Sequence, residues 1–233
     1  AAGTPSIVFQ PLDICDSTAT RMMTRGAESR GYASLEELGS MLNGALAGPR
    51  GRGYFFFYYD GIDSVSHVYG PDSPQAELEI LGVLDAMEAF LAGPRPYRGR
   101  TLLLLVADHG QVRVDPATTV YLNLAFPGIE GFLRRDARGR LLVPGGACRD
   151  MFLYVRDGAV DELQAMLAAG LEGRAMVART EDLIARGYFG PRPRPGFSAR
   201  AGDLTILPFG NESVWWFEEG RFRSFGAQHG VAE

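Results

Sequence analysis

Two runs of the chain are apolar at every position rather than at every second one: Tyr54–Tyr59 (YFFFYY) and Thr101–Ala107 (TLLLLVA). Continuous apolar runs of this length, bounded by glycine and charge, predict strands covered on both faces, as in a parallel sheet. Between them, Leu78, Leu81, Leu84, Met87, Phe90 and Leu91 recur at close to helical period. With Ser73-Pro74 as a start and Gly93-Pro94 as a stop, that spacing predicts a helix from about Pro74 to Ala92. Upstream, Pro5–Ile14 reads as a strand or extended segment, and Asp16–Thr20 is rich in capping groups. Ser34-Leu35-Glu36-Glu37 is a capping box that starts a helix running to about Ala47, where Gly48-Pro49-Arg50-Gly51 ends it. This alternation predicts an α/β fold with a mostly parallel sheet and helices on both faces.

The texture changes from Asp115 to about Pro195. Tyr121–Phe126, Arg140–Val143, Met151–Val155 and Arg174–Ala178 read as short strands, and Val160–Leu171 and Thr180–Arg186 as helices. A small α+β subdomain inserted at 115–195 into a single domain over 1–233 is the expectation. Pro191-Arg192-Pro193-Arg194-Pro195 is a stiff linker that returns the chain to the sheet. Asp203–Phe209 reads as a strand, and Val214–Phe217 with Arg221–Phe225 as a hairpin.

Composition narrows the function classes. The chain has 233 residues and a net charge of −5, which argues against binding a nucleic-acid polymer, since phosphate backbones select basic surfaces. Every one of the 23 basic residues is Arg, a pattern that reads as compositional bias. Cys15 and Cys148 have no spacing that suggests a bridge and read as small core residues. No apolar run approaches the roughly 20 residues of a membrane span, so no membrane partner is expected. No signal-peptide pattern is visible, which favours the cytoplasm.

The chemistry concentrates where the apolar runs end. Asp60-Gly61 breaks the first run, and Asp63 and His67 follow, four residues apart and so on one helical face. Asp108-His109-Gly110 follows the second. The chain has only three histidines, and the third, His229, stands before Gly230 near the C-terminus. In parallel α/β sheets, ligands bind beyond the carboxyl ends of the strands, where both acid–histidine pairs are expected. A carboxylate with two imidazoles suits a zinc site with an open position. Asp108 and His109 supply two ligands of a second site, provided the strand ends there, a bend that Gly110 would permit.

The segments Asp63-Ser64-Val65-Ser66-His67-Val68-Tyr69-Gly70-Pro71, Ala107-Asp108-His109-Gly110 and His229-Gly230, in this order, resemble the alkaline phosphatase superfamily. Among its branches they are most similar to the type I phosphodiesterase/nucleotide pyrophosphatase group, over most of the chain from about Pro5. The resemblance implies an alkaline phosphatase-like fold and a two-metal phosphoester hydrolase acting on a small phosphoester or nucleotide. It implies that Asp63, His67 and His229 hold one divalent ion, usually zinc with Mn or Mg as alternatives, and that Asp108 and His109 hold the other. The family carries Gly where this chain has Ser66. Its remaining metal-binding Asp and its Thr or Ser nucleophile lie well upstream of the Asp-x-x-x-His motif, whereas only 62 residues precede Asp63 here. Ser17, Thr18 and Thr20 are the hydroxyls available, and they read as helix caps. The expectation is therefore a chain lacking the N-terminal part that bears the nucleophile. The alternatives are a catalytically incomplete metal-binding domain, or a phosphomutase-type member of the same superfamily.

Overall fold

The computed structural model describes residues 3–47, 52–92 and 101–219, and the backbone of 227–230. The chain divides into two compact units, Ala1–Ala107 and Asp108–Glu233.

In the first unit, β1 (Ser6–Pro11) is the centre of a three-stranded parallel sheet, flanked by β2 (Glu28–Tyr32) and β3 (Tyr54–Phe57). The expected alternation of strand and helix is therefore present. A short helix α1 (Thr18–Met23) links β1 to β2, and α2 (Leu35–Leu46) precedes β3. The capping box works as the sequence implies. Ser34 Oγ accepts from the Glu37 amide at 3.2 Å, while the Glu37 carboxylate accepts from the Ala33 amide at 2.7 Å. That return bond goes one residue further back than in the standard motif. The core here is small: Phe9, Tyr32, Leu38 and Leu42 are buried, with Phe55, Phe57 and Phe90 packed against them.

Three expectations for this unit are corrected. Among the described residues β3 pairs only with β1, and it is covered on one face: Phe55 and Phe57 turn to the core, while Tyr54 and Phe56 are exposed. The helix expected at 74–92 forms as α4 (Pro74–Ala92), yet Leu78, Leu81 and Leu84 on its periodic apolar set are exposed. Finally, Thr101–Ala107 forms no strand. Leu102, Leu104, Leu105 and Val106 are 81%, 70%, 65% and 79% exposed. An apolar run specifies a buried strand only where a sheet edge is there to pair with it, and among the described residues this run joins no ladder.

The second unit is built on a four-stranded antiparallel sheet in the order β6-β7-β9-β8, with β6 at Gly145–Ala147, β7 at Asp150–Leu153, β8 at Ala175–Arg179 and β9 at Leu204–Pro208. The helix α6 (Val160–Gly170) buries Leu163 and Leu167 in a large apolar cluster shared with Leu153, Leu204 and Ile206. Two shorter helices, α7 (Thr180–Ala185) and α8 (Phe197–Ala201), complete this layer. β9 lies beyond residue 195 and pairs with strands before it on both sides. The expected strand at 121–126 is instead a two-residue β5 (Val120–Tyr121) followed by one helical turn, α5 (Leu122–Ala125). Arg140–Val143 contributes only an isolated bridge, Arg135↔Leu141, beside a tight turn in which the Asp136 amide donates to the Arg140 carbonyl at 2.8 Å. Of the expected C-terminal hairpin, Val214–Trp215 forms β10, which pairs in parallel with β5. Arg221–Phe225 lies outside the described residues. A strand the apolar pattern did not announce, β4 (Gly110–Arg113), pairs antiparallel with β11 (Ala227–Gly230).

Candidate functional site

The first acid–histidine pair sits on α3 (Gly61–Tyr69), which starts three residues after β3 ends. It therefore lies beyond the carboxyl end of a parallel strand, as expected. The helical spacing brings His67 Nε2 to 3.4 Å from Asp63 Oδ1, with both side chains partly exposed. The local sequence explains the turn. Tyr32 Oη donates to the Tyr58 carbonyl at 2.5 Å and fixes the strand end. The next residue, Tyr59, donates its hydroxyl to the Glu79 carboxylate on α4. Burial, reinforced by the carboxylates around them, holds both tyrosine hydroxyls above the usual phenol range. A Cβ on Gly61 would come within 2.5 Å of Tyr59 Cζ and 2.6 Å of Glu79 Oε1, so a larger residue there would have to displace the ends of both side chains. Gly70, at φ 93°, ends α3 by donating to the Ser66 carbonyl at 2.8 Å. Ser73 Oγ then accepts from the Ala76 amide at 3.1 Å and opens α4.

The second pair belongs to the other unit. His109 Nδ1 is 3.1 Å from the Gly110 carbonyl. A carbonyl only accepts, so this bond uses a proton on Nδ1, and Nε2 is the other ring nitrogen. That nitrogen is 3.7 Å from Asp108 Oδ2. Adjacent residues on a regular strand diverge. These two converge because β4 begins only at Gly110 and neither Asp108 nor His109 is in a strand. The bend does not use glycine's freedom: Gly110 is not among the positive-φ glycines, and a Cβ there would touch nothing within 4 Å.

The third histidine is placed by pairing. In the β4–β11 ladder, His229 stands opposite Gln111 and Gly230 opposite Gly110. Backbone register thus sets His229 opposite Gln111, two residues after His109 in sequence. Apolar periodicity offered no signal for this, because Gly110–Arg113 and Ala227–Gly230 contain few apolar residues; the pointers were the scarcity of histidine and the order of the family motifs. Among the described residues no group of three or more His, Cys, Asp or Glu side chains gathers closely enough to hold an ion. Each acid–histidine pair does fit two positions of a zinc-type donor set: a carboxylate oxygen beside an imidazole nitrogen, with the opposite nitrogen of His109 held by a backbone carbonyl, the usual arrangement for a metal-binding imidazole.

The candidate hydroxyls are structural. Ser17 Oγ accepts from the Thr20 amide at 3.1 Å and caps α1, and Thr20 Oγ1 donates to the Ile14 carbonyl at 2.7 Å. Thr18 is exposed in the first turn of the same helix. One described cavity, of about 420 Å³ in the second unit, is lined by Arg134, Arg135, Arg156, Glu130 and Asp157. It contains none of the candidate ligands. Arg134 is already paired with Asp203 at 2.5 Å.

Comparison with known proteins places these features in context. The family model described as "Type I phosphodiesterase / nucleotide pyrophosphatase" matches residues 26–230. No curated protein matches the sequence significantly. Among solved structures, murine ectonucleotide pyrophosphatase/phosphodiesterase 5 is similar with a TM-score of 0.66 at 15% identity, covering 99% of this chain and 57% of that one. An inactive form of the same murine protein in complex with AMP is similar at a TM-score of 0.62 and 13% identity, with the same coverage. Phosphonoacetate hydrolase from Sinorhizobium meliloti 1021, in complex with phosphonoformate, is similar at 0.55 and 14% identity, covering 98% of this chain and 63% of that one. At these identities the likeness shows the fold. The chain spans less than two thirds of the length of these relatives.

Proposed function

Since the chain belongs to the type I phosphodiesterase/nucleotide pyrophosphatase family, we propose that it supplies the metal-binding part of a metal-dependent phosphoester hydrolase. Asp63, His67 and His229 would hold one divalent ion, and Asp108 and His109 the other. When bound, such ions supply Lewis acidity at phosphoryl oxygens and lower the pKa of a coordinated hydroxyl or water. This chain's own residues would do the positioning. α3 presents Asp63 and His67 as one unit. The Gly110 carbonyl bonds His109 Nδ1, leaving Nε2 as the ring nitrogen for the ion. The β4–β11 register sets His229 opposite Gln111. That register is the observation that supports the reading for the second unit, because it relates the strand after Asp108-His109 to the segment of His229, motifs that the family match also spans, while the grouping of His229 with Asp63 and His67 rests on the family pattern. On the same reading, the parallel sheet has helices on both faces.

The substrate class is a small phosphoester or nucleotide. The AMP and phosphonoformate complexes of the similar structures support it. The nucleophile would be a Thr or Ser upstream of Ala1, consistent with the structural use of the Ser17 and Thr20 hydroxyls.

The test is metal content by elemental analysis, together with hydrolysis of bis(p-nitrophenyl) phosphate and p-nitrophenyl phosphate. His67→Ala and Asp108→Ala should each lower bound metal by about one ion equivalent. Unchanged metal content in both variants would overturn the assignment. The bonding of Ser17 and Thr20 also favours a second reading, a metal-binding domain without turnover. Metal retained with no hydrolysis of either ester would select it.

A further inference from the structure

We propose that Tyr59 and Glu79 act as a positioning pair that sets the orientation of α3, and with it the placement of Asp63 and His67. The inference rests on the reading of those two residues as metal ligands, and it adds a device that controls them. Only Tyr58, Tyr59 and Asp60 separate the end of β3 from the start of α3. The first of these is tied through its carbonyl to Tyr32. The second reaches across the start of α3 to a carboxylate on α4, donating its hydroxyl to Glu79. The third takes the N-cap position without a capping side-chain bond. The helix start is therefore not held by its own cap, and the Tyr59–Glu79 bridge takes that role.

Gly61 shows how close the bridge lies. A methyl group at this first helical residue would run into both Tyr59 and Glu79. The bridge thus sits against the first turn of the helix that bears Asp63, and one turn further on His67 lies 3.4 Å from it. A small rotation of α3 would carry both donors off together. An ion bound by a fixed carboxylate–imidazole pair tolerates such displacement poorly, since donor geometry decides metal affinity. Tyr59 and Glu79 act through the first turn of α3 rather than on the ion, so both are positioning residues.

Two readouts separate this role from general stability. The first is the His67 imidazole signal in ¹H–¹³C NMR spectra of the metal-free 233-residue chain, assigned with His67→Ala. The second is Co²⁺ affinity and the visible spectrum of the cobalt form. Tyr59→Phe keeps the ring and removes the bond. Glu79→Ala removes the acceptor, whereas Glu79→Gln keeps an acceptor oxygen. Tyr59→Phe and Glu79→Ala should displace the His67 signal and weaken Co²⁺ binding about 10-fold, the low end for residues that support metal ligands from outside the coordination sphere. Glu79→Gln should stay within about twofold of the parent chain. His67 signals that superimpose in all variants, or Glu79→Gln behaving like Glu79→Ala, would overturn the proposal. If Tyr59→Phe does not fold, the two Glu79 variants decide. Cobalt binding unaffected by His67→Ala would sink the metal assignment, leaving the imidazole signal to judge the positioning pair by itself.

Discussion

The two units of this chain solve the burial problem differently. Among the described residues of Asp108–Glu233, fifteen form one buried apolar cluster that joins the antiparallel sheet to α6. Among the described residues of Ala1–Ala107, the corresponding cluster has four buried members, and apolar side chains on β3, on α4 and along 101–107 face outwards. The candidate ligands are divided between the units, Asp63 and His67 in one and Asp108, His109 and His229 in the other. The contrast teaches that apolar sequence and apolar burial are separate matters. An antiparallel sheet closes its own core through adjacent strands, whereas a parallel one needs covering layers and further strands to bury its continuous runs.

The contrast can be broken by mutation. The largest effect should come from the cluster of the second unit. Leu163→Ala opens a cavity beneath a fully buried site and should cost about 2–5 kcal/mol of stability in denaturant unfolding. The same change at Leu84, exposed on α4, should stay within about 0.5 kcal/mol. Equal losses would mean that the Leu84 face is covered in solution. Next comes Asp203, whose Oδ2 accepts from Arg134 and from the Val155 amide at 2.7 Å. Asp203→Ala leaves both donors unmatched and should cost about 1–3 kcal/mol, read as a lowered unfolding midpoint. A third test uses pH. Burial pushes the Cys148 thiol from 9.0 up to about 12. Because the folded value is the higher one, the unfolded chain ionises first, and stability should fall as pH rises from about 9 towards 12. Thiol trapping by iodoacetamide at pH 9 should accordingly be slow at Cys148 until the chain unfolds. The smallest effect belongs to the first unit: Ser34→Ala removes the α2 cap and should cost about 1 kcal/mol, measurable by thermal melting.

Much of the local structure was legible in the chain. Ser34-Leu35-Glu36-Glu37, Ser73-Pro74 and the helical spacing after each predicted α2 and α4 closely, since capping and periodicity are short-range effects. The Asp63/His67 pair could be placed on one face for the same reason. The Thr101–Ala107 run was misjudged because its hydrophobicity says that it needs cover, not that cover is there. Tyr121–Phe126 was misjudged because its apolar residues serve a helical turn as readily as a strand.

The sequence by itself determined the family, through the order of Asp63, His67, Asp108, His109 and His229, and the individual helices with their caps. Tertiary structure alone decided three things. It paired Gly110–Arg113 with Ala227–Gly230, setting His229 opposite Gln111. It set Tyr59 against Glu79 over Gly61. It left one apolar run without a ladder. The reason is common to all three. Caps and helical faces depend on neighbours a few residues away, whereas strand pairing and side-chain bridges depend on which distant segment occupies the adjoining space, and no local pattern records that.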